Sequence, residues 1–128
     1  MATGTIKTGN RNLLWTNPNP DAAFNAQTIT LSDSASNYAK IEVVFFVNNT
    51  VSNRLTEIVQ FEPGYRMHAW YWAATGGDTS DVAYFMVRQI INQVTGTTID
   101  FANVFHTPPK GTVSQNILVP WKVYGLRA

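Results

Sequence analysis

Cysteine is absent from the 128 residues, which excludes disulfide-stapled scaffolds and metal sites built on thiolates. A chain of this length predicts one domain, residues 1–128, that buries a core without covalent staples. Apolar residues make up 45% of the sequence. The composition is therefore that of a folded domain and not of a disordered segment.

Charge is also scarce, with 9 basic and 8 acidic residues. The basic residues are scattered singly along the chain, so no run of Lys and Arg could follow a phosphate backbone. We therefore expect no nucleic-acid partner. Many Asn, Thr and Ser residues take the place of charges, and such a neutral polar surface suits packed assemblies and uncharged partners such as sugars.

Long apolar runs are missing as well. No stretch approaches the roughly 20 apolar residues that a membrane helix needs, and the opening MATGTIKTGN lacks the apolar centre of a signal peptide. We therefore expect no membrane insertion and no export by a signal peptide, with assembly in a cytoplasm.

The apolar residues that are present repeat every two positions, which indicates strands. In KIEVVFFV, alternate residues from Ile41 to Val47 form a firmly apolar face, and those from Lys40 to Phe46 form a mixed one. Similar segments with turn signals about every 8–12 residues predict about seven to nine strands. The fold class that follows is all-β, an antiparallel β-sandwich of jelly-roll type, in which Pro120 lies at an edge or a bulge.

The stretch LLWTNPNPDAAFNAQTITL, residues 13–31, joins two of these strands. Pro18 and Pro20 fix φ and remove two amide donors, so strand pairing must stop there. We predict a stiff crossing between sheets, in which Phe24 fills the core before Ile29 faces inward on the next strand.

The densest aromatic cluster is HAWYW, residues 68–72, and it supplies the candidate ligand or interface residues His68, Trp70, Tyr71 and Trp72. On a strand, His68, Trp70 and Trp72 share one face and Tyr71 lies on the other. Exposed Trp rings could stack on sugars, whereas a buried cluster would belong to the core or to a subunit interface. The core or interface interpretation is favoured, because aromatic residues dominate the energetics of both.

Catalytic and metal sites are not indicated. GGDTSD, Gly76–Asp81, offers oxygen ligands, but its spacing does not match a calcium-binding loop and turn chemistry explains its residues. Neither His68 nor His106 lies in a nucleophile motif. We therefore expect a non-enzymatic protein with no catalytic residues, no metal and no cofactor.

Three stretches resemble small β-sandwich domains of bacteriophage tail-fibre and head-fibre type virion appendage proteins. They are LLWTNPNPDAAFNAQTITLSDSASNYAKIEVVF, VRQIINQVTGTTIDFANVF and VPWKVYGLR. In the second, a basic residue, Arg88, precedes a short turn and a strand with Ile99 and Phe101. The aromatic cluster at residues 68–72 is not part of this pattern, and the resemblance implies no site residues.

The resemblance implies a non-enzymatic structural protein of a bacteriophage virion. We expect a fibre or appendage module that is displayed on the particle and contacts host-surface glycans. The alternative is a capsid decoration (cement) protein that packs on the capsid and binds no ligand. Either protein would assemble in the host cytoplasm, reside in the virion and contact other virion proteins, with a homotrimer as the favoured oligomer.

Overall fold

The architecture comes from a computed structural model, which describes residues 10–47, 55–73, 84–107 and 114–127, with the side chains of Trp72, Ala73 and Tyr84 excepted. The described residues form nine strands and one 3-10 turn, Ala35–Asn37. The strands are β1 (Arg11–Thr16), β2 (Gln27–Thr30), β3 (Lys40–Phe46), β4 (Thr56–Phe61), β5 (His68–Ala73), β6 (Tyr84–Gln89), β7 (Thr98–Phe101), β8 (Phe105–Thr107) and β9 (Val119–Leu126).

The strands form two layers, and all strand pairs are antiparallel. One layer is a four-stranded sheet with the order β1-β9-β3-β4. The other contains the pair β2-β7 and the three-stranded sheet β5-β6-β8. A bridge between Ile90 and Phe101 and a bond from the Ile91 amide to the Asp100 carbonyl join β7 to the residues that follow β6. The order of the second layer is therefore β2, then β7 and β8 in succession along one edge of β6 and the residues that follow it, then β6, and finally β5.

The predicted all-β antiparallel sandwich is confirmed. The chain crosses between layers from β1 to β2 and again from β2 to β3, as in a jelly roll. By contrast, β3 and β4 are antiparallel neighbours in the first layer, and β5 and β6 are antiparallel neighbours in the second. Pro120 lies in β9 beside a register irregularity opposite Phe45. A proline is accommodated there because the ladder is already interrupted, so the predicted bulge is confirmed.

The predicted crossing after β1 is present. The Asn17 amide donates to the Trp121 carbonyl at 2.7 Å and the Asn17 side chain donates to the Pro120 carbonyl at 2.8 Å, which fixes the start of the crossing on β9. Phe24 is only 4% exposed and its ring meets Phe101 edge-on at 5.6 Å. The residue thus enters the core as predicted, and Ile29 faces inward behind it.

The core lies between the two layers. Phe101 of one layer meets Phe45 of the other with ring centroids 6.3 Å apart, and edge-to-face rings of this kind pack favourably. The buried apolar residues come from both layers and from the segments between them, which makes one continuous interior. They include Leu14, Phe24, Ile29, Leu31, Ile41, Val43, Phe45, Ala69, Ile90, Val94, Ile99, Phe101, Leu118, Val119 and Val123.

Arg88 of β6 is fully buried, and its guanidinium has a main-chain partner for every N–H group. Nε donates to the Leu118 carbonyl at 2.8 Å, and the two terminal nitrogens donate at 2.9–3.3 Å to four further carbonyls, those of Phe24, Ala102, Gln115 and Ile117. Burial lowers the pKa of the Arg88 guanidinium to about 10, which leaves it charged at neutral pH. Five carbonyl dipoles thus replace the lost water.

We predict that Arg88→Lys destabilises the fold by about 3 kcal/mol or more. An ammonium has three N–H donors, so at least two buried carbonyls lose a charged partner worth about 1.5–3 kcal/mol each. The free energy of unfolding in urea measures the loss. Arg66→Lys is the matched control, because exposed Arg66 makes a single bond to a carbonyl. Equal small losses in both variants would contradict this role for Arg88.

Candidate functional site

The sheet β5-β6-β8 has an inner and an outer face because its residues alternate. Ala69 and Arg88 point into the interior and are 0% exposed. Tyr71 and Met86 also pack against the core, each partly buried. The residues that alternate with these four are therefore directed to the outer face of the sheet, where Trp70 is 52% exposed and Val87 is 8% exposed.

The outer face is a grid of three rows set by the strand register. Trp70, Val87 and Phe105 form the central row across β5, β6 and β8. The row on one side pairs His68 with Gln89. The row on the other side places Phe85 opposite Thr107. An apolar centre is thus flanked by side chains that donate and accept hydrogen bonds.

Two large apolar side chains of this face are open to solvent. Trp70 is 52% exposed and Phe105 is 40% exposed. The Trp70 ring meets the Phe85 ring nearly at right angles with centroids 4.7 Å apart, which holds the indole in one orientation. A shallow depression of about 390 Å³ lies on the same face, and its described lining residues are His68, Trp70, Phe85, Val87, Gln89, Phe105 and Thr107.

The residues predicted from the aromatic cluster separate as their alternation requires. His68 and Trp70 lie on the outer face and line the depression. Tyr71 lies on the inner face and packs against the core. Trp72 is paired with Phe85 in the register of β5 and β6, and its side chain lies outside the described part of the structure. Whether this surface binds a ligand or a subunit stays a prediction.

Sequence reasoning missed Phe85 and Phe105 as members of this surface. Phe85 is on β6 and Phe105 on β8, so their distance from Trp70 depends on the pairing of three strands. The available signal was the alternation within β6. Phe85 shares its face with Val87 and Gln89, opposite the face of Arg88.

A second outward surface covers the four-stranded sheet and centres on Glu42 of β3. Arg11 donates to Glu42 at 2.7 Å and Gln60 donates to it at 2.9 Å. The Arg11 guanidinium also lies 3.6 Å from the centroid of the Tyr124 ring, a cation–π contact. Burial opposes ionisation of Glu42, but the bonds from Gln60 and Arg11 and the charge of Arg11 leave its pKa below the ordinary value.

The second face of β3 is mixed in residue type, as predicted. Its side chains are more buried than the sequence indicated. Val44 and Phe46 are each 6% exposed, although they face away from the core. Trp121 stacks on Phe46 at 4.7 Å, and the Lys122 ammonium lies 4.2 Å from the Trp121 ring. The central strand is thus covered by its neighbours on β9.

We expect the contribution of Glu42 to stability to decrease with falling pH. Its pKa is lower in the folded chain, so its stabilisation is complete above the ordinary glutamate pKa of about 4.3 and disappears as pH falls through the folded value. Glu42→Gln should therefore cost about 1 kcal/mol or less at pH 7, because Arg11 is half exposed. The difference from the parent chain should shrink at pH 3 in urea unfolding. A difference that does not change with pH would contradict this.

The residues that were considered as metal ligands or catalytic groups lie only partly within the described ranges. No group of three or more His, Cys, Asp or Glu residues able to hold a metal ion occurs within residues 10–47, 55–73, 84–107 and 114–127. The Gly76–Asp81 loop lies outside those ranges. His106 is on β8, paired in register with Met86 and half buried. The same ranges contain no helix of a length and hydropathy suited to crossing a membrane.

Comparison with known proteins gives no relative. No protein family, no curated protein and no solved structure matches the chain.

Proposed function

We propose that the chain is a non-enzymatic structural protein of a bacteriophage virion, a fibre or appendage module that contacts host-surface glycans. The three stretches that resemble phage appendage domains support the virion setting. The observation that carries the glycan contact is the open Trp70 ring, 52% exposed at the centre of a shallow depression. On this proposal the protein assembles in the host cytoplasm and acts in the virion.

The outer face of β5-β6-β8 offers the two kinds of contact that a sugar needs. The indole of Trp70 presents a π face on which the C–H groups of a pyranose can stack, because the face of an aromatic ring carries partial negative charge. His68, Gln89 and Thr107 surround it and can bond to hydroxyl groups. A flat site of this size binds one sugar chain weakly.

Weak single sites become effective when several copies act together. A homotrimer, which the resemblance implies, would present three such faces. A particle that carries several trimers would raise the overall affinity by orders of magnitude, about 10²–10⁴-fold for two linked sites, without any new contact.

Capsid decoration is the second candidate, and a particular observation favours it. The four-stranded sheet also exposes large apolar side chains on its outer side, with Leu13 50% exposed and Ile58 53% exposed. A protein held between capsid neighbours could bury both outer faces, because exposed apolar surface on a small domain commonly marks a contact with another protein.

For the glycan proposal, we expect Trp70→Ala to weaken binding to host envelopes about 30-fold, since a central interface tryptophan contributes about 2 kcal/mol. The fold should persist, because the ring is directed outward and is 52% exposed, although the variant loses its contact with Phe85. Binding is measured with the purified protein on isolated envelopes.

Ile58→Ala is the control for this experiment, because it removes a similarly exposed apolar side chain from the opposite outer face. It should leave envelope binding unchanged. Full binding by the folded Trp70→Ala variant, or equal losses in the two variants, would contradict the assignment of this face.

The decoration alternative predicts that the chain co-purifies with capsids that lack tails. Quantitative mass spectrometry of tail-less capsids and complete particles should then give the same number of copies per capsid. A tail appendage would instead be lost with the tail. Absence from tail-less capsids removes the decoration role.

A further inference from the structure

The candidate surface continues beyond the His68–Gln89 row. The ladder between β5 and β6 extends by one bond, from the Ile90 amide to the Met67 carbonyl at 2.9 Å. Arg66 lies two residues before His68, lines the same depression and donates to the Ile91 carbonyl at 2.9 Å. A second depression of about 430 Å³ is lined by described residues 66–68 and 89–91.

The two depressions share His68 and Gln89, so they form one continuous strip along β5 and β6. Arg66 lies at one end of the strip, four positions before Trp70 in the sequence. Alternate residues of a strand are spaced by about 6.7 Å, so the two α-carbons are about 13 Å apart where the chain is fully extended; β5 itself begins at His68. A ligand that stacks on Trp70 and reaches Arg66 must therefore extend beyond one sugar ring.

The charge of this strip has one sign. None of the described residues that line either depression is acidic. Arg66 is exposed and makes no ion pair with a described residue, whereas the ion pair between Arg11 and Glu42 lies on the other sheet. One N–H of the Arg66 guanidinium is held by Ile91, and its four others have no partner in the described part of the chain.

From this arrangement we infer that the strip binds an acidic oligosaccharide, with a sugar ring stacked on Trp70 and a sugar carboxylate bound by Arg66. This inference rests on the proposed glycan-binding function and names its substrate class. The planar guanidinium fork matches a carboxylate with two parallel hydrogen bonds. The bond to Ile91 restrains the guanidinium beside the depression before any ligand arrives, which lowers the entropy lost on binding.

A glycan array with two matched sets of probes tests the inference. One set consists of oligosaccharides that contain hexuronic acids, and the other consists of the same compounds with each carboxylate converted to its methyl ester. The parent protein should bind the free acids at least tenfold more tightly than the esters. Added salt should weaken binding of the acids only, because salt screens charge.

Four variants separate the contributions of the two ends. Arg66→Gln should remove the preference for free acids and leave the binding of esters unchanged. Lys40→Gln, which removes the same charge from an exposed position of β3, should keep that preference. Trp70→Ala should weaken both probe sets equally, and Arg66→Lys should retain part of the preference for acids.

The possible results distinguish a failure of the acidic specificity from a failure of the proposed glycan binding. Equal binding of acids and esters, both lost in Trp70→Ala, would overturn the acidic specificity and leave glycan binding supported. An Arg66→Gln variant that keeps the full preference for acids would also overturn the role of Arg66. Binding to neither probe set by the folded protein would overturn the glycan function and the inference together.

Discussion

The buried guanidinium of Arg88 is the interaction on which the rest of the structure depends. It lies on β6, and its acceptors come from three separate segments, namely the crossing at Phe24, the connection at Ala102 and the approach to β9 at residues 115–118. A buried charge without partners is too costly to keep, so these segments must converge for the chain to fold. The five hydrogen bonds thereby join three irregular segments of the chain to β6.

The position of Arg88 also determines the candidate surface. Because side chains on a strand alternate, an inward Arg88 directs Val87 and Gln89 outward beside Trp70 and His68. The two outer faces of the sandwich differ in the partners of their charged groups. On the four-stranded sheet, the Glu42 carboxylate accepts hydrogen bonds from Arg11 and Gln60. The smaller sheet leaves its central indole open and its nearby cation, Arg66, without a carboxylate among the described residues.

The sequence predicted what depends on local rules. Period-two alternation predicted the strands, and two prolines with a lone Phe24 predicted the crossing. It could not predict the partners of Arg88, which are main-chain oxygens 14 to 64 positions away. Nor could it predict that Phe85 meets Trp70 and that Phe105 lies in the same row, because both depend on register. Alternation within the aromatic cluster predicted that His68 and Trp70 share one face and Tyr71 lies on the other, which the structure shows. The virion setting, the trimer and the glycan stay predictions.

Because the acceptors of Arg88 are main-chain atoms, they constrain the evolution of the sequence only weakly. Phe24, Ala102, Gln115, Ile117 and Leu118 all hold Arg88 through carbonyl oxygens, and every amino acid supplies that oxygen. Mutations at these five positions leave the acceptor in place, subject to packing, whereas position 88 admits no other side chain with five donors. Descendants of this chain could therefore lose most recognisable sequence identity around the guanidinium and still keep its entire set of bonds.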